Sequence, residues 1–247
     1  MRHLAGIGAG ILACMAASVT VATDHKSRPA PRAIVELFTS QGCSSCVKAD
    51  EYFADLAKRD DIVALSLHVD YWDYLGWRDT LGDPANSERQ RSYASVQRGS
   101  PRVYTPQIVI NGRSEFVGSD RAAIDSAIAQ SALPVPVTMR HGDGTVEIEV
   151  AARPIRTTWP ATIRLALLTT EAEVTIGRGE NAGATIEYYN VVRAMRPIGM
   201  WDGEAVKITL PEHELMVDGV DACAILVQED LPKGPGAIIG AAWLGNW

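Results

Sequence analysis

From position 33 the chain alternates between short apolar runs and stretches whose apolar residues return every three or four positions. Residues 33–38 (AIVELF) are apolar except at Glu36 and predict a short buried strand. Ala49, Tyr52, Phe53, Leu56 and Ala57 then recur at helical spacing, which predicts a helix from Cys43 to about Arg59. Residues 62–69 (IVALSLHV) predict a second strand, and a strand–helix–strand unit of these lengths requires the two strands to be parallel. An aromatic-rich loop occupies 70–81. Asp83 as N-cap, Pro84 at the first position, and Gly99 and Pro101 beyond the end then bracket a second helix. Residues 107–111 and 114–117 predict strands around an Asn111-Gly112 turn, a strong hairpin signal. Ser119 is placed to cap a third helix that turns Ile124, Ala127 and Ile128 to the sheet. The order β-α-β-insert-α-β-β-α predicts one α/β domain over 33–133.

Pro134 and Pro136 mark the expected boundary. Beyond them no amphipathic helix is evident. Residues 137–139, 146–151, 163–169, 188–194, 206–210, 222–228 and 237–243 read as strands, separated by turn signals such as Gly142-Asp143-Gly144 and Asp218-Gly219. The expectation for 134–247 is an all-β, sandwich-like domain. Residues 177–183 (GRGENAG) contain no G-x-G-x-x-G and read as a hairpin loop.

The first residues bear on compartment. Arg2 and His3 precede an uncharged run over 4–22 that ends in small side chains, the layout of a secretory signal. The expectation is a signal peptide at 1–22, cut between Ser18 and Thr23, a polar linker at 23–32, and a secreted or periplasmic protein. A lipid anchor at Cys14 and a retained membrane anchor are the alternatives. An apolar content of 47% excludes global disorder. A net charge of −7 argues against a nucleic-acid partner, which would call for a basic stripe. Four cysteines in 247 residues are too few for a disulfide scaffold.

Two of those cysteines carry the candidate chemistry. Gly42-Cys43-Ser44-Ser45-Cys46 places a CxxC motif after a strand and at the start of a helix. There the helix dipole and free amide N–H groups stabilise a thiolate. The spacing lets the two sulfurs cycle between dithiol and disulfide, with Cys43 as the exposed nucleophile and Cys46 as the resolving thiol. A metal reading would add His68 and Asp70. One CxxC supplies only two of the four ligands structural zinc requires, which leaves Cu(I) handling as the metal alternative. No metal or organic cofactor is expected beyond the redox pair itself. Cys223, within an apolar strand, reads as a small buried hydrophobe. Arg89, Arg91, Arg98 and Arg102 read as a solvated helix face, with docking of an acidic client as the alternative.

The segment 35–46, with Thr105-Pro106 before a later strand, resembles a thioredoxin fold. More narrowly, ELFTSQGCSSC, HVDYWDYLGW, ERQRSYA and YTPQIVING resemble a secreted bacterial family of thioredoxin-like proteins known as a domain of unknown function. The likeness is strong over 33–133 and looser at GENAG, YYNVVR and GPGAIIGAAWL. It implies that the Thr105–Pro106 bond is cis, faces the cysteine pair and binds extended peptide. It also implies a buried acid beneath the second cysteine, a role for which Glu36 is the candidate, against the plainer reading of a salt-bridged glutamate. In that family a proline commonly follows the second cysteine, where this chain has Val47 and Lys48.

Tyr71, Trp72 and Trp77 lie in the loop after the second parallel strand, at the sheet edge where open α/β sheets bind ligands. They form either a client-binding lip or a satellite core. The leading expectation is thiol–disulfide exchange with protein clients or a redox partner; a binding module with a structural disulfide is the rival.

Overall fold

β1 (Ala33–Thr39) is buried along its whole length, and the rest of the fold is laid out on either side of it. The structure is a computed structural model that describes residues 30–154 and 160–245. The expected signal peptide, Cys14 and all but the last three linker residues lie outside them. After β1 come α1 (Val47–Ala57), β2 (Ile62–His68), α2 (Pro84–Arg98), β3 (Gln107–Ile110), β4 (Ser114–Val117) and α3 (Arg121–Ala129). Then follow β5 (Val137–His141), β6 (Thr145–Val150), β7 (Ala161–Thr175), β8 (Thr185–Trp201), β9 (Val206–Pro211), β10 (Ala222–Leu231) and β11 (Gly234–Gly245).

One eight-stranded sheet has the order β11-β10-β7-β8-β2-β1-β3-β4; β5, β6 and β9 form a second sheet of three. β1 and β2 are parallel, from Ala33 opposite Ile62 to Thr39 opposite His68. The sheet passes the prolines at 134 and 136 without a break in its layer: β8 lies parallel to β2, with Ser66 opposite Val191.

Both faces of the long sheet are covered, so its central strands read as continuous apolar runs rather than alternating ones. On one face, Val35 and Leu37 pack with Phe53 and Leu56 of α1 and Ile124 and Ile128 of α3. On the opposite face, Ile34, Phe38, Leu65 and Leu67 meet Tyr93 of α2 together with Ala166, Ala224 and Leu226 of β7 and β10. Ile163, Leu165, Ile225 and Val227 point the other way, into a core shared with Val146 and Ile148 of the three-stranded sheet.

Local signals set several boundaries as the sequence implies. Asp83 accepts from the Ala85 N–H at 2.8 Å and Gly99 closes α2 with φ 67°. Asn111 and Gly112, with φ of 50° and 64°, centre the β-turn that Arg113 N–H closes on the Ile110 carbonyl, within a three-residue connection that leaves Ile110 opposite Ser114. Three details differ. Asp120 rather than Ser119 caps α3, accepting from Ala123. A single 3-10 turn at Ser44–Cys46 precedes α1, so α1 starts at Val47 rather than Cys43. β7 and β8 run 15 and 17 residues, far past their apolar segments, because their outer halves pair as a polar two-stranded ribbon.

Glu36 is the charged exception inside β1, and period-two alternation puts it on the α2 face with Ile34 and Phe38. Arg89 Nε donates to Glu36 Oε1 at 2.6 Å, and Tyr93 Oη donates to Oε2 at 2.7 Å. Arg89 also donates to Gln228 Oε1 of β10 and to Tyr93 Oη. Gln228 Nε2 donates to Tyr93 Oη and to the Gly236 carbonyl. Arg89 is therefore not part of a solvated helix face: its side chain is 10% exposed and ties α2 to β1 and β10. Replacing one member of a buried pair strands the other charge. Glu36→Ala should lower unfolding free energy by about 3–5 kcal/mol; an unchanged urea midpoint would contradict this role.

Candidate functional site

The cysteine pair sits at the C-terminal end of β1, where residues 40–42 turn the chain toward α1. A disulfide joins Cys43 to Cys46, with Cα atoms 5.4 Å apart. Gly42 lets the turn pass close to Trp72: a Cβ there would stand 3.2 Å from Trp72 Cβ and 3.4 Å from its carbonyl oxygen, a tight approach. Ser44 and Ser45 are exposed, Cys46 is fully buried, and Cys43, expected to be the exposed thiol, is 3% exposed. Its sulfur is enclosed by polar neighbours. The Thr105 hydroxyl donates to Cys43 Sγ at 3.2 Å, and Ser45 Oγ lies 3.3 Å away. The Thr105–Pro106 bond is cis.

The aromatic residues of 70–81 divide between core and rim. Trp72 Nε1 donates to Thr105 Oγ1 at 2.8 Å, so this ring stands directly behind the group that touches sulfur. Tyr71 donates to Gln90 of α2 and packs at the edge of the α2-side core. Trp77 Nε1 donates to Gln41 Oε1 at 2.8 Å. Tyr74 stacks on Trp72 and is 77% exposed, which makes it the outermost of the group.

A further wall comes from far along the sequence. The tip of the β7–β8 hairpin, 176–184, lies over Trp77; a Cβ at Gly177 would meet the indole at 2.9 Å. Ser44 Oγ donates to Glu180 Oε2 at 2.6 Å, and Asn181 Nδ2 donates to the Gln41 carbonyl at 2.9 Å. The GENAG stretch thus reaches Ser44, one of the two residues between the cysteines. Nothing local in the sequence marks that contact.

The buried acid on the α1 side of the sheet is Asp50 rather than Glu36. Glu36 is on the α2 face of β1 and its oxygens are taken by Arg89 and Tyr93. Asp50 lies four residues after Cys46 on α1, and positions four apart share a helix face. It accepts from Thr39 Oγ1 at 2.7 Å. Burial pushes its carboxyl up to about 7; the Thr39 hydrogen bond and His68 pull it down, while Asp79 and Glu51 add to the rise. His68, at the end of β2, has Nδ1 2.9 Å from Asp79 Oδ2. Burial works against the Asp79 carboxylate, but His68 and the Gln41 and Leu81 N–H groups outweigh it and hold that carboxyl below its usual range. The Tyr188 ring of β8 meets His68 edge-on with centroids 4.5 Å apart. An acid four residues after Cys46 on the apolar face of the helix was the available signal for Asp50; Asp79 and Tyr188 had none.

Burial pushes the Cys223 thiol up to about 12, which leaves it unreactive as a nucleophile. Among the described residues no group of three His, Cys, Asp or Glu side chains is arranged to hold a metal ion.

A profile of the family described as "Protein of unknown function (DUF1223)" matches residues 34–228. The crystal structure of protein AGR_C_4864 from Agrobacterium tumefaciens is similar, with 36% identity and a TM-score of 0.78, covering 88% of this chain and 96% of that one. HBP35 of Porphyromonas gingivalis shares the fold at 12% identity and a TM-score of 0.60, covering 89% of this chain and 76% of its own. Comparison with curated proteins gives no match.

The Asp50 carboxyl titrates near 7 in the fold against 3.8 when free. The folded state therefore holds a proton that the unfolded chain releases, and this stabilisation, complete below about pH 4, is lost as pH rises toward 7. Asp50→Asn keeps an acceptor for Thr39 and removes the titration. It should match the parent near pH 4 and exceed it at pH 8 by a few kcal/mol, at about 1.4 kcal/mol per pH unit. Urea unfolding at the two pH values checks this; an equal difference at both would contradict it.

Proposed function

The chain belongs to the DUF1223 family of proteins of unknown function, and we propose that it is an exported thiol–disulfide oxidoreductase working on protein clients through Cys43 and Cys46. The carrying observation is the placement of that pair: a CxxC disulfide at the end of a central parallel strand, one turn ahead of a helix, with the Thr105 hydroxyl on Cys43 Sγ. In this reading 33–133 is a thioredoxin-like unit and 134–247 a β-rich domain whose β7–β8 hairpin completes the site. Residues 1–22 act as the export signal, which delivers the pair to a compartment where disulfides persist.

In the reducing direction the Cys43 thiolate attacks one sulfur of a client disulfide, forms a mixed disulfide and releases a client thiolate. Cys46 then attacks Cys43 Sγ, restores the Cys43–Cys46 disulfide and releases the second client thiolate, so two electrons pass to the client. Run backward, the same steps oxidise a client dithiol. Asp50, near-neutral and one turn beyond Cys46, takes the proton from Cys46 and returns it. Thiols supply and accept the electrons, so the exchange itself calls for no other cofactor. Thr105, Pro106, Trp72, Trp77 and exposed Tyr74 border the place where a client chain would lie.

The 3% exposure of Cys43 favours a second reading, in which the disulfide is structural and the aromatic rim grips a partner. Single-cysteine variants separate the two. In a Cys223→Ser background, Cys43→Ser should lose at least about 100-fold in reduction of a disulfide-linked test peptide, and Cys46→Ser should trap the mixed disulfide. Full exchange activity in Cys43→Ser would contradict the oxidoreductase reading.

A further inference from the structure

A hydroxyl has one hydrogen to give, and at Thr105 the neighbours decide where it points. Trp72 Nε1 can only donate, and it donates to Thr105 Oγ1 at 2.8 Å. That fills an acceptor position on the hydroxyl and leaves its own hydrogen for Cys43 Sγ, 3.2 Å away. Trp72 is itself held in place. Its backbone passes within 3.4 Å of where a Cβ on Gly42 would stand, and its ring lies 6.4 Å from that of Tyr74 at 18°. Tyr71 also borders Thr105; it gives its own hydrogen to Gln90, so its neutral oxygen competes with Cys43 Sγ for the Thr105 hydrogen until a Cys43 thiolate, the stronger acceptor, forms.

We propose that Trp72 is a positioning residue for Cys43: its indole N–H orients the Thr105 hydroxyl, which then stabilises the Cys43 thiolate once the disulfide is opened. The inference rests on the redox reading of the pair and names what tunes it. A disulfide sulfur accepts hydrogen bonds weakly and a thiolate accepts them strongly, so the chain Trp72–Thr105–Cys43 strengthens when two electrons arrive from a client dithiol. It favours the thiolate both as attacking group and as leaving group. The same chain links the outer rim to the sulfur, since Tyr74 stacks on the ring whose N–H sets the hydroxyl. The other titratable groups around the pair are Cys46, Tyr71 at Thr105, Glu180 through Ser44, and Asp50 in the first turn of α1. Replacing Trp72 by Phe leaves each of them in the chain.

Titration of the ultraviolet thiolate absorbance in the reduced full chain, with Cys223→Ser, reads this directly; Cys43→Ser assigns the signal. Thr105→Val should move the Cys43 titration upward by about one pH unit, the size of a charge-assisted hydrogen bond. Trp72→Phe should move it in the same direction, and Trp72→Phe/Thr105→Val should move it no further than Thr105→Val alone. Thr105→Ser, which keeps the hydroxyl, should titrate like the parent. A Trp72→Phe protein that titrates like the parent, or shifts that add in the double variant, would overturn the proposal. Failure of the redox reading looks different: client exchange is slow in every variant, whatever the titration does.

Discussion

The fully buried Glu36 meets the largely buried Arg89, and much of the site's geometry follows from that one pair. A carboxylate in the middle of a buried strand is tolerable only with a matched cation and filled lone pairs. Arg89, Tyr93 and Gln228 meet both requirements, and in doing so they fasten α2 across β1 and β10. The aromatic loop enters α2 and the Thr105–Pro106 segment leaves it, so fixing the helix helps to fix Trp72 and the Thr105 hydroxyl it meets at Cys43. Gln228 joins this contact from beyond Pro134, where β8 also pairs with β2 in the same sheet.

At the C-terminal ends of β1 and β2 a different balance applies. Thr39, Asp50, His68, Asp79 and Tyr188 form a buried polar cluster there. The two carboxyls are pushed apart: Asp79 is held ionised by His68 and backbone N–H groups, while burial raises Asp50 toward neutrality. Pairs of acids with such divided environments are how proteins obtain one group able to exchange protons near pH 7. The polar groups in contact with the Cys43 sulfur are hydroxyls rather than cations: Thr105 and Ser45. Such donors stabilise a thiolate less than a neighbouring positive charge does, consistent with a moderate potential rather than an extreme one.

Much of this was legible in local pattern. Apolar runs located β1 and β2, Asp83-Pro84 and Gly99 bracketed α2, and Asn111-Gly112 turned a hairpin, because each signal acts within a few residues. The buried face of α2 escaped because it is polar: Asn86, Ser87, Gln90 and Tyr93 line it, so hydrophobic period does not mark it and Arg89 read as solvated. The two readings of Glu36, buried acid at the cysteines or salt-bridged glutamate, were not separable in the sequence for a related reason; the structure shows the salt bridge. Strand parity says that it shares a face with Ile34 and Phe38, but not which helix covers that face. The outer halves of β7 and β8 lack an apolar run, since their pairing into a ribbon depends on the partner strand and not on burial. Glu180, Asn181 and Tyr188 therefore arrive at the site through contacts that span more than a hundred residues.

Whether the pair is a redox centre turns on its thermodynamic poise. The most direct measurement is the equilibrium reduction potential of Cys43–Cys46 in a Cys223→Ser background against glutathione buffers. The account predicts a value between about −120 and −270 mV, the range of exchange catalysts. A potential below about −300 mV, with slow exchange, would mark a structural disulfide and contradict it.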